Sequence, residues 1–122
     1  MSRRQTNVTR KSAAGKRRPR LSAAELDALI EEAIVDAYGD EEQRAGLFTM
    51  IEEHLALPFE TEVLGVTMTV AKVDLTTAGE IVAVCRRGRA RQAIPLLELP
   101  LPDPPPKGVE WIAAYRRWAR GH

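Results

Sequence analysis

The sequence contains few of the residues from which enzyme sites and metal centres are usually built. Its 122 residues include one cysteine and two histidines. An internal disulfide is therefore excluded, and a zinc site of three or four cysteine and histidine ligands lacks the donors it needs. No glycine-rich loop with dinucleotide-binding or P-loop spacing occurs. We expect neither zinc chemistry nor a phosphate cradle.

Nucleophilic catalysis has a single nominal candidate pair. Two of the three serines lie within the first 20 residues, and the third, Ser22, stands at the start of a predicted helix. Cys85 and His54 remain, but Cys85 lies in the most apolar predicted strand, where a buried structural cysteine is the usual finding. The sequence therefore predicts a protein that is not an enzyme.

Long hydrophobic runs are also missing. The longest apolar run falls far short of the roughly 18–20 residues that a membrane span needs. The first 20 residues are basic and no apolar stretch follows them, unlike a secretory signal. With its lone cysteine, the sequence predicts a cytoplasmic protein without a membrane segment.

Charge is plentiful but unevenly distributed. Residues 1–20 hold eight basic side chains and no acidic one. Residues 21–62 hold twelve acidic side chains and only Arg44, a net charge of −11, whereas residues 63–122 carry a net charge of +4. Because residues 1–20 are almost without apolar content, we predict a disordered basic tail followed by one domain over residues 21–122.

A helical hairpin is predicted over residues 21–57. Ser22 and Glu25 form a capping-box pattern, and apolar residues then recur at three- and four-residue spacing. Gly39 is expected to end this first helix in a left-handed turn. A second helix is expected to continue to about Leu55.

The period changes to two over residues 58–99, which predicts three or four short antiparallel strands. The phase of the apolar residues slips near Ala71-Lys72, where we expect a β-bulge. Ile81–Cys85 is predicted as a central strand, and Pro95 indicates an edge strand. The predicted fold class is α+β, with a small antiparallel curled sheet or an open SH3-like barrel.

The last part of the chain returns to helical spacing. Residues 100–107 form a proline-rich connector, and residues 108–121 form a C-terminal helix. Trp111, Tyr115 and Trp118 share one side of this helix, which predicts that it packs on the sheet.

Carboxylates gather at two places. Asp36, Asp40, Glu41 and Glu42 crowd the turn between the helices, and Glu60 and Glu62 stand where the strands begin. Oxygen donors in irregular arrangement suit Ca²⁺ better than a transition metal. The alternative is that the carboxylates near the second helix only cap it and favour its dipole.

Arginines form the second candidate site. Two groups of arginines would attract phosphates. Arg17, Arg18 and Arg20 lie in the tail, and Arg86, Arg87 and Arg89 lie between the predicted strands. No aromatic residue lies between Glu60 and Glu110, so bases would find no stacking platform there. The alternative function is an interaction module whose basic tail binds nucleic acid, without sequence preference, or an acidic protein.

Three stretches of the chain resemble a known family, that of the cyanobacterial calcium-binding protein CcbP. They are the helix–helix turn at residues 36–43, the start of the strands at residues 57–65, and the aromatic helix at residues 111–118. With the strands between them, the resemblance covers about residues 22–119. It implies a helical segment joined to a small β-rich module, and weak Ca²⁺ binding through surface carboxylates as a buffer or sensor.

The resemblance also implies which residues hold the ion. By matching position, the ligands expected here are Asp36, Asp40, Glu41, Glu60 and Glu62. The family's calcium-binding representative is strongly acidic throughout, whereas residues 63–122 of this chain carry a net positive charge. Ligands from the β-rich part are therefore not all expected to be kept.

Overall fold

The computed structural model describes residues 21–121. The predicted tail, residues 1–20, lies outside the described residues. Within residues 21–121 the order of elements is two helices, four strands and one helix. Their bounds are α1 Ala23–Ala33, α2 Gly39–His54, β1 Phe59–Val63, β2 Val66–Leu75, β3 Ile81–Arg87, β4 Ala90–Pro95 and α3 Val109–Arg120. The α+β class is confirmed. None of these three helices has the length and apolar character that a membrane span would need.

Helix α1 begins as predicted but ends earlier. The Ser22 hydroxyl accepts from the Glu25 amide and the Glu25 carboxylate accepts from the Ser22 amide, so the capping box is confirmed. The prediction that Gly39 ends this helix is wrong, because α1 ends at Ala33 and Gly39, with φ of 85°, begins α2. Helix α2 packs so closely on the end of α1 that a Cβ atom on Gly46 would collide with the Ala33 carbonyl.

The four strands form one antiparallel sheet in the order β1-β2-β3-β4. The register shifts between Val70 and Lys72, which confirms the predicted bulge. β3 lies between two other strands, and β4 is an edge strand, as predicted. β1 forms the opposite edge and does not pair with β4, so the sheet is open rather than closed into a barrel.

The helices cover one face of this sheet. Leu47 and Ile51 of α2 pack with Ala83 and Cys85 of β3 in a single buried cluster. Helix α3 contributes its aromatic stripe to the same cluster, and Trp111, Tyr115 and Trp118 are each at most 4% exposed. The aromatic stripe is therefore buried in the core that the strands share, as predicted, but the backbone of α3 lies closest to α1 and α2 rather than to the strands.

The segment after β4 crosses from one edge of the sheet to the other. Leu96 and Leu99 are buried, and the Arg116 guanidinium donates to both of their carbonyl oxygens at 2.7–3.2 Å. On β1, the buried Thr61 hydroxyl donates to the Pro100 carbonyl oxygen at 2.6 Å. We call residues 96–102 the strap, because side-chain hydrogen bonds hold it to α3 at one end and to β1 at the other.

Candidate functional site

The helix–helix turn carries the first group of predicted ligands. Asp36 lies in the turn after α1, and Asp40 and Glu41 lie in the first turn of α2, all of them exposed. The neighbouring Glu42 carboxylate accepts a hydrogen bond from the Tyr38 amide at 2.8 Å. The positive end of the α2 dipole favours these carboxylates and opposes a cation at the same place. The turn therefore suits the capping alternative as well as it suits an ion site.

Strand β1 carries the second group. Glu60 and Glu62 are both exposed and pair across the strands with Thr69 and Thr67. Residues two apart on a strand point to the same face, about 7 Å apart along it. Among residues 21–121, neither carboxylate has a hydrogen bond or ion pair. Two adjacent negative charges thus face solvent together at an edge of the sheet.

A surface depression of about 480 Å³ surrounds these two carboxylates. Its lining comes from β1, the start of β2 and the strap: Glu60, Thr61, Glu62, Thr67, Pro100, Leu101 and Pro102. The polar side chains of this lining are carboxylates and hydroxyls, and oxygen atoms are the ligands that Ca²⁺ prefers. The Thr61 hydroxyl is engaged with the Pro100 carbonyl and helps to fix the strap beside the carboxylates.

Donor chemistry and donor arrangement give different answers for a metal ion. The oxygens fit Ca²⁺, yet within the described part of the chain no three Asp, Glu, His or Cys side chains are grouped so as to hold a metal. The five predicted ligands therefore include no such group of three. Coordination beyond a carboxylate pair would come from main-chain carbonyls, hydroxyls and water. Because Ca²⁺ affinity rises with the number of charged ligands and the rigidity of the site, this geometry supports only weak binding.

The predicted anion-binding arginines fall into two parts. Arg17, Arg18 and Arg20 lie outside the described residues. Arg86, Arg87 and Arg89 lie at the end of the β3–β4 hairpin, and all three are exposed. Within residues 21–121 no acidic side chain is bonded to them.

The nominal catalytic pair has no features of a nucleophilic site. Cys85 is fully buried, and burial raises the pKa of its thiol, which disfavours the reactive thiolate. The Cys85 sulfur lies 3.8 Å from the Ala83 carbonyl oxygen, as expected of a structural cysteine. The exposed His54 ring stacks on Trp111 with 5.5 Å between the ring centroids.

An exposed ion pair joins α1 to α3. The Arg117 guanidinium contacts both oxygens of Asp27, at 2.7 and 3.2 Å, and this hydrogen bond lowers the pKa of the Asp27 carboxyl group. Asp27 thus belongs to the acidic segment but has a partner, in contrast to the carboxylates of β1. An exposed pair of this kind contributes little to stability.

Two polar residues that position the site were not predicted as important. Thr61 is the buried polar residue of the described part of the chain, and Arg116 joins α3 to the strap. Thr61 lies at an apolar position of the strand alternation, which could have marked it. Arg116 gave no such signal, because its carbonyl partners lie 17 and 20 residues away.

Comparison with known proteins gave one match. The model of a protein family described as calcium binding matches residues 27–119, about three quarters of the chain. It is the family that the three sequence stretches resemble. No curated protein and no solved structure matches this chain.

Proposed function

This chain belongs to the CcbP family of calcium-binding proteins, and from that premise we propose that it is a cytosolic, non-enzymatic protein that binds Ca²⁺ weakly through exposed carboxylates. The family match carries the proposal for the ion. The arrangement of the carboxylates supports a low affinity for the ion, because no three acidic side chains of the described residues are grouped around one position.

Glu60 and Glu62 form the ligand pair that the geometry favours. They share one face of an edge strand, have no partner among the described residues, and border a depression that two threonines also line. The carboxylates of the helix–helix turn are less favourable, because the α2 dipole already stabilises their charge. Asp36, Asp40 and Glu41 form the second candidate group.

The proposed effect of the ion is electrostatic. Residues 21–62 carry a net charge of −11, so a divalent cation between two of their carboxylates relieves repulsion in the folded chain. Binding to the folded state stabilises it by linkage, by about 2.7 kcal/mol at 100 times the dissociation constant. A weak site follows changes in free Ca²⁺, as a buffer or sensor requires.

Thermal melts of the full chain in EDTA, in Ca²⁺ and in Mg²⁺, at matched ionic strength, test the proposal. We expect Ca²⁺ to raise the melting temperature by several degrees at saturation, and Mg²⁺ to raise it less. The Glu60→Gln/Glu62→Gln variant should lose the Ca²⁺-dependent increase. Glu52→Gln/Glu53→Gln is the matched control, since it removes two exposed carboxylates of α2 that are not predicted ligands.

The remaining outcomes are separable. A Ca²⁺-dependent increase that survives in Glu60→Gln/Glu62→Gln and disappears in Asp40→Asn/Glu41→Gln would place the ion at the helix–helix turn. An unchanged melting temperature for the natural sequence at millimolar Ca²⁺, together with no heat of binding in calorimetry, would contradict calcium binding by this chain.

A further inference from the structure

The end of the β3–β4 hairpin extends beyond the buried part of the sheet. All eight residues from 86 to 93 are exposed, whereas Cys85 before them and Ile94 after them are buried. We call this segment the basic arm. It carries four arginines and no acidic residue: Arg86, Arg87, Arg89 and Arg91. Its positive charge is therefore presented to solvent on both faces of a two-stranded ribbon.

Two of these arginines are held opposite each other. Arg86 and Arg91 are cross-strand partners and therefore share the outer face of the sheet. Like charges directly opposite each other destabilise a strand pair, and within residues 21–121 neither side chain is bonded to a carboxylate. An anion between the two guanidinium groups would relieve this repulsion. Guanidinium groups are well matched to phosphate, which accepts paired hydrogen bonds from their planar forks.

We propose that the basic arm binds the phosphate backbone of double-stranded DNA without reading its bases. A two-stranded ribbon has the width that the major groove of B-form DNA admits. Single strands are less suitable partners, because no aromatic residue lies between Glu60 and Glu110 to stack on bases. A protein partner is also less suitable, because the arm has no aromatic or large apolar side chain to serve as an anchor.

The acidic edge strand β1 lies across the sheet from the end of the basic arm on β4. One row of paired residues runs over all four strands, from Glu60 through Thr69 and Arg86 to Arg91. Three strand spacings separate the backbones of Glu60 and Arg91, about 14 Å. The Debye length at physiological ionic strength is about 8 Å, so the two ends of this row act almost independently.

Binding of the full chain to a labelled 20-base-pair DNA duplex of arbitrary sequence tests the proposal. Fluorescence anisotropy is measured in EDTA, which removes any calcium contribution, at salt concentrations from about 50 to 200 mM. The variant changes Arg86, Arg87, Arg89 and Arg91 to Gln. If four phosphate contacts are lost, the slope of log K against log salt concentration falls by about 3.6. Over that range the natural sequence should then lose about 100-fold more affinity than the variant.

Two controls separate the arm from other cations. Changing Lys72, Lys107 and Arg120 to Gln removes exposed positive charges that lie off the arm and should leave the slope nearly unchanged. Changing Arg17, Arg18 and Arg20 to Gln measures the contribution of residues 1–20 separately. Circular dichroism checks that each variant is folded, and Arg89→Gln/Arg91→Gln, with about half the slope change, replaces the fourfold variant if that one does not fold.

Three results would overturn the proposal. In the first, the fourfold variant binds the duplex with the same affinity and salt slope as the natural sequence. In the second, the off-arm variant loses as much affinity as the arm variant, which would mean that only net charge matters. In the third, poly-glutamate binds the arm as tightly as the duplex does, which would identify an acidic protein as the partner.

Discussion

The two edge strands of the sheet carry opposite charges and differ in how their inner faces are covered. β1 presents Glu60 and Glu62 outward, while Thr61, on its inner face, is buried and bonded to the strap. β4 presents Arg91 outward, but its first four residues are exposed on both faces, and burial begins only at Ile94. An edge strand keeps one buried face only where another segment of the chain covers it.

This difference separates two kinds of exposed charge. The carboxylates of β1 lie beside the strap, which the Thr61 hydroxyl holds to the strand through the Pro100 carbonyl. The arginines of the basic arm lie beyond the core, so a large partner can approach them from several directions. A covered edge suits a small ion, and an uncovered arm suits an extended polyanion.

Cutting the strap from α3 should have the largest effect. The Arg116→Met change keeps much of the side chain's apolar length but leaves the buried carbonyls of Leu96 and Leu99 without their donor. At about 1–3 kcal/mol for each unsatisfied group, we expect the free energy of unfolding to fall by about 3 kcal/mol. Urea denaturation measures this. Arg120→Met, on the exposed side of the same helix, is the control and should change the free energy of unfolding by less than about 0.5 kcal/mol. If both variants lose the same free energy of unfolding, the hydrogen bonds between Arg116 and the strap do not stabilise the fold.

Cutting the strap from β1 should have a smaller effect. Thr61→Val keeps the shape of the side chain but removes the hydrogen bond to the Pro100 carbonyl, at a cost of about 1 kcal/mol. A thermal melt should show a decrease of about 4–8 °C. Thr67→Val, at an exposed position of β2, is the control and should change little. If Thr61→Val is as stable as the natural sequence, the covered edge does not depend on this contact.

Reversing one charge of the arm should have the smallest effect on stability, and it should raise the free energy of unfolding rather than lower it. Arg91→Glu replaces a like-charged cross-strand pair with an opposite one, so we expect a gain of about 0.5 kcal/mol in the free energy of unfolding. The gain should shrink in 1 M salt, where the Debye length is about 3 Å. Arg89 lies in the turn and has no cross-strand partner, so Arg89→Glu should give a smaller gain in the free energy of unfolding. A loss of stability in Arg91→Glu would show that Arg86 and Arg91 do not repel each other.

Local pattern was sufficient for much of this fold. The slip in apolar phase at Ala71-Lys72 identified the bulge, because a period of two cannot change faces without an extra residue. The spacing of Ser22 and Glu25 identified the start of α1. Gly39 misled, because a glycine with positive φ serves either end of a helix, and its position between two helices does not say which.

The candidate site was only partly predictable. The alternation along β1 places Glu60 and Glu62 on one face, which is a local property. Whether these carboxylates approach Asp36, Asp40 or Glu41 depends on packing between distant segments, and the sequence holds no periodicity that reports it. The same limit applies to Thr61 and Arg116, whose partners lie 39 residues and up to 20 residues away.

The strap has a consequence for how the molecule comes apart. An open sheet ordinarily unfolds locally from its edge strands inward, and the amide hydrogens of each edge strand then exchange at independent rates. Here the strap is attached near both edge strands: Arg116 binds it just after β4, and Thr61 binds it to β1. Local unfolding of either edge strand loosens the strap that holds the other, so β1 and β4 should unfold together as one cooperative unit.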